Sequence, residues 1–261
     1  MEVLAGTSGY SYKEWKGPFY PEKLPADEML RFYAGRLRTV EINNTFYRMP
    51  DETVLSRWSE QVPDDFAFSV KAPRRISHDK RLRETDSDVA EFLRRTAVLG
   101  TKLGPVLFQL PPFIKKDLPR IADFLDLLPV TLRAAFEFRH ASWQDDAVYE
   151  TLRAHGAMLC MADTDEGDTP LVSTSDSGYL RLRREQYDDR DLRAWVEQIA
   201  AQPWNRAYVY FKHEDAGLGA KFAQRFNQLW AEATGTAAGR PALREHRNRT
   251  DLHHEDDGSE R

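Results

Sequence analysis

The sequence lacks several features that would assign the protein to a specialised class. Its single cysteine, Cys160, excludes an intrachain disulfide and a zinc site built on cysteines. The longest stretch without a charged residue, 103–114, contains three prolines and is too short to span a bilayer. The start, Met1-Glu2-Val3, shows neither the basic nor the apolar region of a signal peptide. We therefore expect a cytoplasmic protein with no membrane partner.

Positive charge is not in excess either. The chain has 37 Lys and Arg against 42 Asp and Glu, which gives a net charge of −5. This balance excludes a uniformly basic coat for nucleic acid and leaves room for a local basic groove. With 261 residues, 41% of them hydrophobic, the chain has the composition of a globular protein. Closed α/β barrels reach about 250 residues as a single domain.

Short apolar segments bounded by Gly, Pro or polar residues recur along the chain. Such segments, several of them β-branched or aromatic, predict strands. The eight predicted strands are Val3–Thr7, Thr39–Asn43, Phe66–Lys71, Val106–Leu110, Ala134–Phe138, Ala157–Ala162, Gly178–Leu182 and Ala207–Phe211.

Longer amphipathic segments lie between these strands. Their apolar residues recur at three- and four-residue spacing, and most begin with an Asp that suits a helix N-cap. The predicted helices are Asp27–Leu37, Asp51–Gln61, Asp86–Lys102, Asp117–Leu128, Asp145–His155, Asp188–Ala201 and Gly217–Ala233. The segment after the sixth strand, Thr164–Ser175, lacks this spacing and is predicted to be irregular.

Eight strands alternating with helices predict a parallel sheet made of βα units. We expect residues 1–234 to form a single-domain TIM-like (β/α)8 barrel, an α/β fold. The rival is an open, doubly wound α/β sheet. No aromatic residue follows Trp230. We expect residues 235–261, which are polar and charged, to form a disordered C-terminal tail.

Charged and amide side chains interrupt the predicted strands with a period of two. Because successive side chains of a strand point to opposite faces, the polar residues would share the lumen of the barrel near its carboxyl-end mouth, where barrel active sites lie. Buried charges are costly unless paired or used, so the pattern indicates either a ligand site or a closed ion-pair network. The polar residues are Glu41, Asn43, Lys71, Gln109, Glu137, Arg139, Asp163, Arg181, Arg183 and Lys212.

The segment Glu137-Phe138-Arg139-His140 is the strongest single motif. The spacing places Glu137 and Arg139 on one strand face, and His140 begins the following loop. A carboxylate, a guanidinium and an imidazole together can bind an anion and move a proton near neutral pH. The alternative is a structural Arg–Glu pair beside a solvated histidine.

Several longer motifs resemble the DUF72 (YecE-like) family over about residues 4–230. They are Gly6-Thr7-Ser8-Gly9-Tyr10-Ser11-Tyr12 with Trp15 and Phe19-Tyr20-Pro21, Val40-Glu41-Ile42-Asn43-Asn44-Thr45-Phe46-Tyr47, Lys102-Leu103-Gly104-Pro105, Gln109-Leu110-Pro111-Pro112, and Glu137-Phe138-Arg139-His140-Ala141-Ser142-Trp143. The resemblance implies a TIM-like barrel of unassigned activity, with a loose similarity to barrels of the sugar-isomerase type.

The chain departs from the family pattern after its last two strands. Arg183-Arg184 stands where the family usually has His-Gly. Lys212-His213-Glu214-Asp215 stands where it usually has Asn-Asn-Asp. Loops after these strands often bind phosphate in barrels, so the residues of the first five strands are the safest to carry over.

Three further features have two interpretations each. The turn Gly6–Gly9 offers backbone amides to an anion, or it is a plain strand end. Lys71 contacts an anion, or it acts as a base or Schiff-base former. Aromatic side chains near the first, second and fifth strands, among them Trp15, Tyr47 and Trp143, stack on a sugar or pack the loops.

These observations favour an enzyme that acts on a small anionic or sugar-like ligand by general acid/base chemistry. The predicted catalytic residues are Glu41, Glu137, Asp163, His140 and Lys71. The predicted substrate-binding residues are Asn43, Tyr47, Gln109, Arg139, Arg181, Trp15 and Trp143. We expect no cofactor, and a divalent metal on Glu41, Glu137, His140 and Asp163 is the alternative. A nucleic-acid-binding or phosphodiester-cleaving barrel and a non-catalytic ligand-binding barrel are the rival functions.

Overall fold

The computed structural model describes residues 1–164, 167–212 and 217–235. The predicted tail at 235–261 lies, apart from Gly235, outside the described residues. Within them, strands and helices alternate in the predicted order. The strands are β1 (Glu2–Ser8), β2 (Thr39–Ile42), β3 (Ala67–Lys71), β4 (Leu103–Gln109), β5 (Ala134–Glu137), β6 (Met158–Thr164), β7 (Gly167–Asp168), β8 (Ser177–Leu182) and β9 (Arg206–Phe211).

Seven α-helices surround the sheet in the described part of the chain. They are α1 (Met29–Ala34), α2 (Glu52–Gln61), α3 (Asp86–Thr96), α4 (Leu118–Asp126), α5 (Asp146–Ala154), α6 (Asp189–Ala200) and α7 (Leu218–Thr234). Four predicted N-caps are present, because the side chains of Asp51, Asp117, Asp145 and Asp188 each accept a backbone N–H of the first turn.

Both boundaries of the third predicted helix were wrong. The helix expected over Asp86–Lys102 ends at Thr96, and a 3₁₀ segment, Ala97–Lys102, follows it. Gly100 has a φ of 54° within that segment, which breaks the helical path and favours glycine. Asp86 lies inside α3 and Thr85 takes the cap position.

Eight parallel strands close into a barrel. Strands β1 to β6 pair in sequence, β6 pairs with β8, β8 pairs with β9, and β9 pairs with β1. The last pairing aligns Thr7 with Phe211 and leaves no open edge. The (β/α)8 prediction is therefore confirmed, and the open doubly wound sheet is excluded.

The barrel has two separate apolar regions. Side chains on the outer faces of the strands, such as Val40, Phe108 and Phe136, pack with the helices in one large cluster. A smaller cluster fills the lower lumen and consists of Leu4, Leu107, Ala135, Met158, Cys160, Tyr179, Tyr208 and Tyr210. The lumen is therefore packed below and polar only toward the carboxyl ends of the strands.

No helix lies between β6 and β8 in the described residues, as the irregular composition of Thr164–Ser175 predicted. Strand β7 instead turns back antiparallel on β6, pairing Asp163 with Asp168. Beyond it, the Thr174 hydroxyl accepts the Leu159 N–H at 2.8 Å and donates to the Ala157 carbonyl at 2.8 Å. This segment covers β6 where other strands carry a helix. Among the described residues, no helix is long and apolar enough to cross a membrane.

Candidate functional site

Two buried carboxylates share one guanidinium at the centre of the barrel mouth. Arg181 Nη1 lies 2.5 Å from Glu137 Oε2, and Arg181 Nη2 lies 3.0 Å from Glu41 Oε1. All three side chains are almost fully excluded from solvent. The strand register brings them together because each occupies a lumen-facing position near the carboxyl end of β2, β5 or β8.

Glu41 has a complete set of hydrogen-bond donors. Ser8 Oγ and Asn43 Nδ2 donate to Oε1 at 2.7 and 2.9 Å, and Tyr179 Oη donates to Oε2 at 2.7 Å. Burial alone would raise the pKa of this carboxyl, but Arg181 and the three donors hold it below its ordinary value. Glu41 is therefore ionised at neutral pH.

Glu137 is held ionised in a similar way. Burial opposes its charge, yet Arg181 and Arg139 lower the pKa of Glu137 to about 2. Arg139 Nε donates to Oε1 at 3.1 Å, and Arg183 Nη1 lies 3.9 Å from the same oxygen. Neither carboxyl group is thus tuned to donate a proton near pH 7. Glu41, Glu137 and Arg181 form the closed ion-pair network that was the alternative to a ligand site.

Lys71 ends β3 beside this network. Its Nζ donates to Gln109 Oε1 at 2.8 Å and lies 4.1 Å from the centre of the Phe46 ring. Burial and the nearby Arg181 lower the pKa of Lys71 to about 8. With this pKa, about one tenth of Lys71 carries no charge at pH 7.

A cavity of about 800 Å³ opens beside the network. Its polar lining includes Glu137, Arg139, His140, Gln144, Thr164, Asp168 and Arg183. Arg139 is partly exposed, with 37% of its side chain accessible. His140 Nδ1 accepts the Ser142 backbone N–H at 3.1 Å, which in the neutral ring places the proton on Nε2. The motif Glu137-x-Arg139-His140 thus lines the cavity as a unit.

The mouth carries a surplus of positive charge. Lys71, Arg139, Arg181 and Arg183 lie around Glu41 and Glu137, and Asp168 also lines the cavity, so these groups leave one positive charge uncompensated when Lys71 is protonated. Burial, with Arg181 next in effect, lowers the pKa values of Lys71 and Arg183. Both shifts are what a buried cation beside other cations shows. The arrangement favours an anion as ligand.

The expectation that Asp163 faces the lumen was wrong. Asp163 has the same strand parity as Leu159 and Met161, which pack in the outer cluster, so its carboxylate points away from Glu41 and Glu137. It lies 2.5 Å from Arg184 Nε and accepts hydrogen bonds from Tyr187 Oη and Trp195 Nε1. Burial raises the pKa of Asp163 to about 6.

The structure places two of the three predicted aromatic contacts in the core. Trp15 and Trp143 are 0% and 1% exposed and therefore present no ring face to a ligand. Trp143 stacks on Phe138 at 4.4 Å and donates to the Ile114 carbonyl. Tyr47 is 81% exposed and follows β2 at the mouth.

A smaller cavity of about 190 Å³ lies between the loops after β1 and β2, lined by Gly9, Tyr10, Ser11, Tyr12, Ile42, Asn43 and Asn44.

The glycines of the first turn have structural roles. A Cβ at Gly6 would lie 2.0 Å from the Thr39 carbonyl oxygen, so β1 and β2 approach closely only without a side chain there. Gly9 has a φ of 91°, and its N–H donates to the Glu41 carbonyl at 2.8 Å. The structure thus supports the plain strand-end interpretation of this turn.

Two residues of the site were not predicted from the sequence, Ser8 and Tyr179, which both donate to Glu41. Phe46, one of the aromatic residues near the second strand, lies against Lys71. A signal existed for Tyr179, because it precedes Arg181 by two residues and therefore shares its strand face.

Two of the residues that depart from the family pattern lie at or near the cavity, and the four alternative metal ligands do not come together. Arg183 lines the cavity and Arg184 binds Asp163, whereas positions 213–215 lie outside the described residues. In the described part of the chain, no three His, Cys, Asp or Glu side chains group as metal ligands. The set Glu41, Glu137, His140 and Asp163 is not assembled, because Asp163 faces outward.

Comparison with known proteins finds relatives of unassigned activity. The UPF0759 protein YecE of Escherichia coli is 42% identical over 112 residues, which cover 42% of this chain and 41% of that protein. The matched stretch thus spans less than half of the length of that relative. The UPF0759 protein YunF of Bacillus subtilis is 23% identical over 214 residues, or 76% of this chain and 75% of that protein.

Solved structures show the same fold. A DUF72 family protein from Thermotoga maritima superposes with a TM-score of 0.79 at 28% identity, covering 88% of this chain and 99% of that one. One from Enterococcus faecalis gives a TM-score of 0.76 at 18% identity, covering 87% and 95%. The sequence model described as "Protein of unknown function DUF72" matches residues 4–247. The chain therefore belongs to the DUF72 family.

Proposed function

We propose that this protein is an enzyme that binds a small, polar, anionic molecule of the sugar or sugar-phosphate class at the carboxyl-end mouth and transfers a proton there. The surplus of positive charge beside the 800 Å³ cavity is the observation that carries the proposal. A cavity of this volume accommodates a small molecule, and a partly desolvated cation attracts anions more strongly than an exposed one.

Arg139 and Arg183 are the anion-binding groups in this proposal. Both line the cavity, and a guanidinium binds phosphate or carboxylate through two parallel hydrogen bonds. Arg181 is assigned a different role, because both of its terminal nitrogens already bind Glu41 and Glu137. It holds the two carboxylates in place and does not bind the substrate anion.

Lys71 and His140 are assigned as the proton-transferring groups. The pKa of Lys71 is about 8, and His140 lines the cavity with an imidazole ring, which can accept or donate a proton. Glu41 and Glu137 stay ionised, so we assign them to orient Arg181, Asn43 and Arg139 and to balance charge. Asn43 donates to Glu41 and Gln109 accepts from Lys71, so we assign both amides to hold these side chains in place. The exposed Tyr47 offers a ring to a sugar face.

Thermal unfolding in phosphate, sulfate and chloride at matched ionic strength, with and without EDTA, tests the anion site. Phosphate at about 100 times its dissociation constant should stabilise the fold by about 2.7 kcal/mol. We expect the gain to survive EDTA and to disappear in Arg139→Met. Arg31→Met is the matched control, since Arg31 lies on α1 with 65% of its side chain exposed.

Two outcomes contradict the proposal in different ways. If no anion stabilises the fold specifically, or if the gain needs added Mg²⁺, Mn²⁺ or Zn²⁺, the metal-free anion site is wrong. If sugar phosphates bind at the mouth with no turnover, the non-catalytic ligand-binding barrel replaces the enzyme.

A second candidate function is binding of nucleic acid. A cleft of about 660 Å³ is lined by Arg81, Phe113, Ile114, Lys115, Lys116, Asp117, Leu118, Pro119 and Arg120. Phe113 is 63% exposed and lies 5.3 Å from the Arg81 guanidinium, and an exposed ring among cations suits an unstacked base. Oligonucleotide affinity that falls steeply with salt and is lost in Phe113→Ala would favour this function over the first.

A further inference from the structure

We propose that Lys71 is a nucleophile that forms a Schiff base with an anionic carbonyl compound, such as a 2-oxo acid or a phosphorylated aldehyde or ketone. This inference rests on the proposed function, because Lys71 lies close enough to Arg139 and Glu137 to interact with both electrostatically, and these two residues line the cavity assigned to the anion.

The contacts of Lys71 are unusual for a lysine among carboxylates. Within the described residues, no carboxylate lies within 4 Å of its Nζ, which binds only the neutral amide of Gln109 and the face of Phe46. Glu41 and Glu137 direct their oxygens to Arg181 and other donors instead. An amine without an ion-pair partner loses its proton at little electrostatic cost.

The position of Lys71 is fixed by its surroundings. Its backbone carbonyl accepts a hydrogen bond from Thr45 Oγ1 at 2.7 Å, and Thr45 is fully buried. The Phe46 ring covers the amine from one side, and the His78 ring packs edge-on against Phe46 at 4.8 Å. A nucleophile held at one place and partly shielded from water reacts with a bound molecule at high effective concentration.

Lys102 provides a contrast within the same chain. Its side chain is only 12% exposed, yet its Nζ donates to the carbonyls of Ser59 and Val62 and pairs with Asp64. The Lys102 amine thus has three oxygen partners, one of them a carboxylate. Burial alone therefore does not distinguish the two lysines, and the difference lies in what surrounds the amine.

The step balances without an oxidant or reductant. The lone pair of the neutral Nζ attacks the carbonyl carbon, the carbonyl oxygen takes one of the two protons that Nζ gives up, and a carbinolamine forms. Its hydroxyl group leaves as water with the second proton of Nζ, which leaves a carbon–nitrogen double bond, and uptake of a proton from solvent gives the iminium. Glu137 and Glu41 partly oppose the lowering of the Lys71 pKa, which shows that their negative charges act on this position. The same charges would stabilise a positively charged iminium there.

Burial and Arg181 lower the pKa of Lys71 to about 8, compared with an ordinary value of 10.5. At pH 7 the neutral fraction of Lys71 would thus be about 300 times that of a solvent-exposed lysine. Lower basicity reduces intrinsic nucleophilicity, so we expect a net labelling advantage of more than about tenfold.

Reductive trapping tests the inference. The full-length protein is incubated with glyoxylate, an anionic aldehyde, and cyanoborohydride, and peptide mass spectrometry measures the labelling rate of each lysine. We expect Lys71 to react more than about tenfold faster than Lys80 or Lys102, with a rate that rises to a plateau around pH 8 to 9. Glycolate, which has the same charge and no aldehyde group, should compete with glyoxylate and slow the labelling of Lys71.

Lys71→Arg keeps the positive charge and removes the primary amine. We expect this variant to retain phosphate stabilisation and to lose the fast adduct. If wild-type Lys71 reacts no faster than Lys102, the inference is wrong even when phosphate stabilises the fold. Rapid labelling of Lys71 in a protein that no anion stabilises would instead refute the anion site and retain the nucleophile. The labelling rates of Lys71, Lys80 and Lys102 in the wild-type protein test the inference even if Lys71→Arg fails to fold.

Discussion

Replacement of Arg181 by methionine removes the guanidinium that both buried carboxylates share. Glu41 would keep three neutral donors, Ser8, Asn43 and Tyr179, whereas Glu137 would keep mainly the half-exposed Arg139. Removing one partner from a buried ionic network costs about 3–5 kcal/mol, because the remaining charges lose their compensation. We expect Arg181→Met to lower the free energy of unfolding by that amount at pH 7.

The pH dependence of this loss follows from the carboxyl groups. In the native protein the pKa of Glu137 is lowered, so its contribution is present above about pH 4.5 and is lost as the pH falls toward 2. Without Arg181 the pKa of Glu137 should rise above its ordinary value. The folded variant then binds more protons than the unfolded chain, and its stability falls as the pH rises, by up to about 1.4 kcal/mol per pH unit.

Urea unfolding followed by circular dichroism at pH 5, 6, 7 and 8 measures both effects. Arg139→Met is the matched control, since Arg139 makes one bond to Glu137 and is 37% exposed, so it should cost less than about 1 kcal/mol. A loss below about 1 kcal/mol for Arg181→Met, or an equal loss at pH 5 and pH 8, would refute the assignment of Arg181 as the central counter-ion.

Three further predictions concern single sites. Lys71→Met should stabilise the fold by about 2 kcal/mol at pH 7, because burial disfavours the charged form of the native amine. Urea unfolding should show that this gain shrinks as the pH rises from about 8 to 10.5, where the unfolded chain also loses the proton of Lys71. Asp163→Ala should lower the free energy of unfolding by about 1–2 kcal/mol, because the buried donors of Tyr187 and Trp195 lose their acceptor, while phosphate still raises the melting temperature as in the native protein; loss of the phosphate effect would show that Asp163 acts at the mouth. Truncation after residue 238 should shift the melting temperature by less than about 2 °C in calorimetry, since no aromatic residue follows Trp230, and a larger drop would contradict that expectation.

The sequence predicts the barrel well because each strand and helix has its own local pattern. Alternating polar residues also identify the lumen positions of Glu41, Lys71 and Glu137, since strand parity is a property of neighbouring residues. The error at Asp163 arose from the same rule, as its parity with Leu159 and Met161 places it outside.

Other features depend on contacts between distant segments. The neutralisation of Arg181 by two carboxylates requires the register of three strands, which no single segment encodes. Trp15 and Trp143 resemble ligand-stacking residues in sequence, and only the packing of the loops shows that their faces are covered. The sequence around Lys71 does not show whether a carboxylate lies near its amine, because those neighbours come from other strands.

The connection from β6 to β8 both covers β6 and lines the cavity, and different residues do these two things. Thr174 holds this connection to β6 by two hydrogen bonds, whereas Thr164, Gly167 and Asp168 line the cavity. Because loop-closure entropy grows slowly with length, residues can be inserted or removed between these points at little cost to the barrel. Evolution can therefore change the size of the cavity here without altering the buried ion-pair network. Members of the family should accordingly differ in the length of this connection.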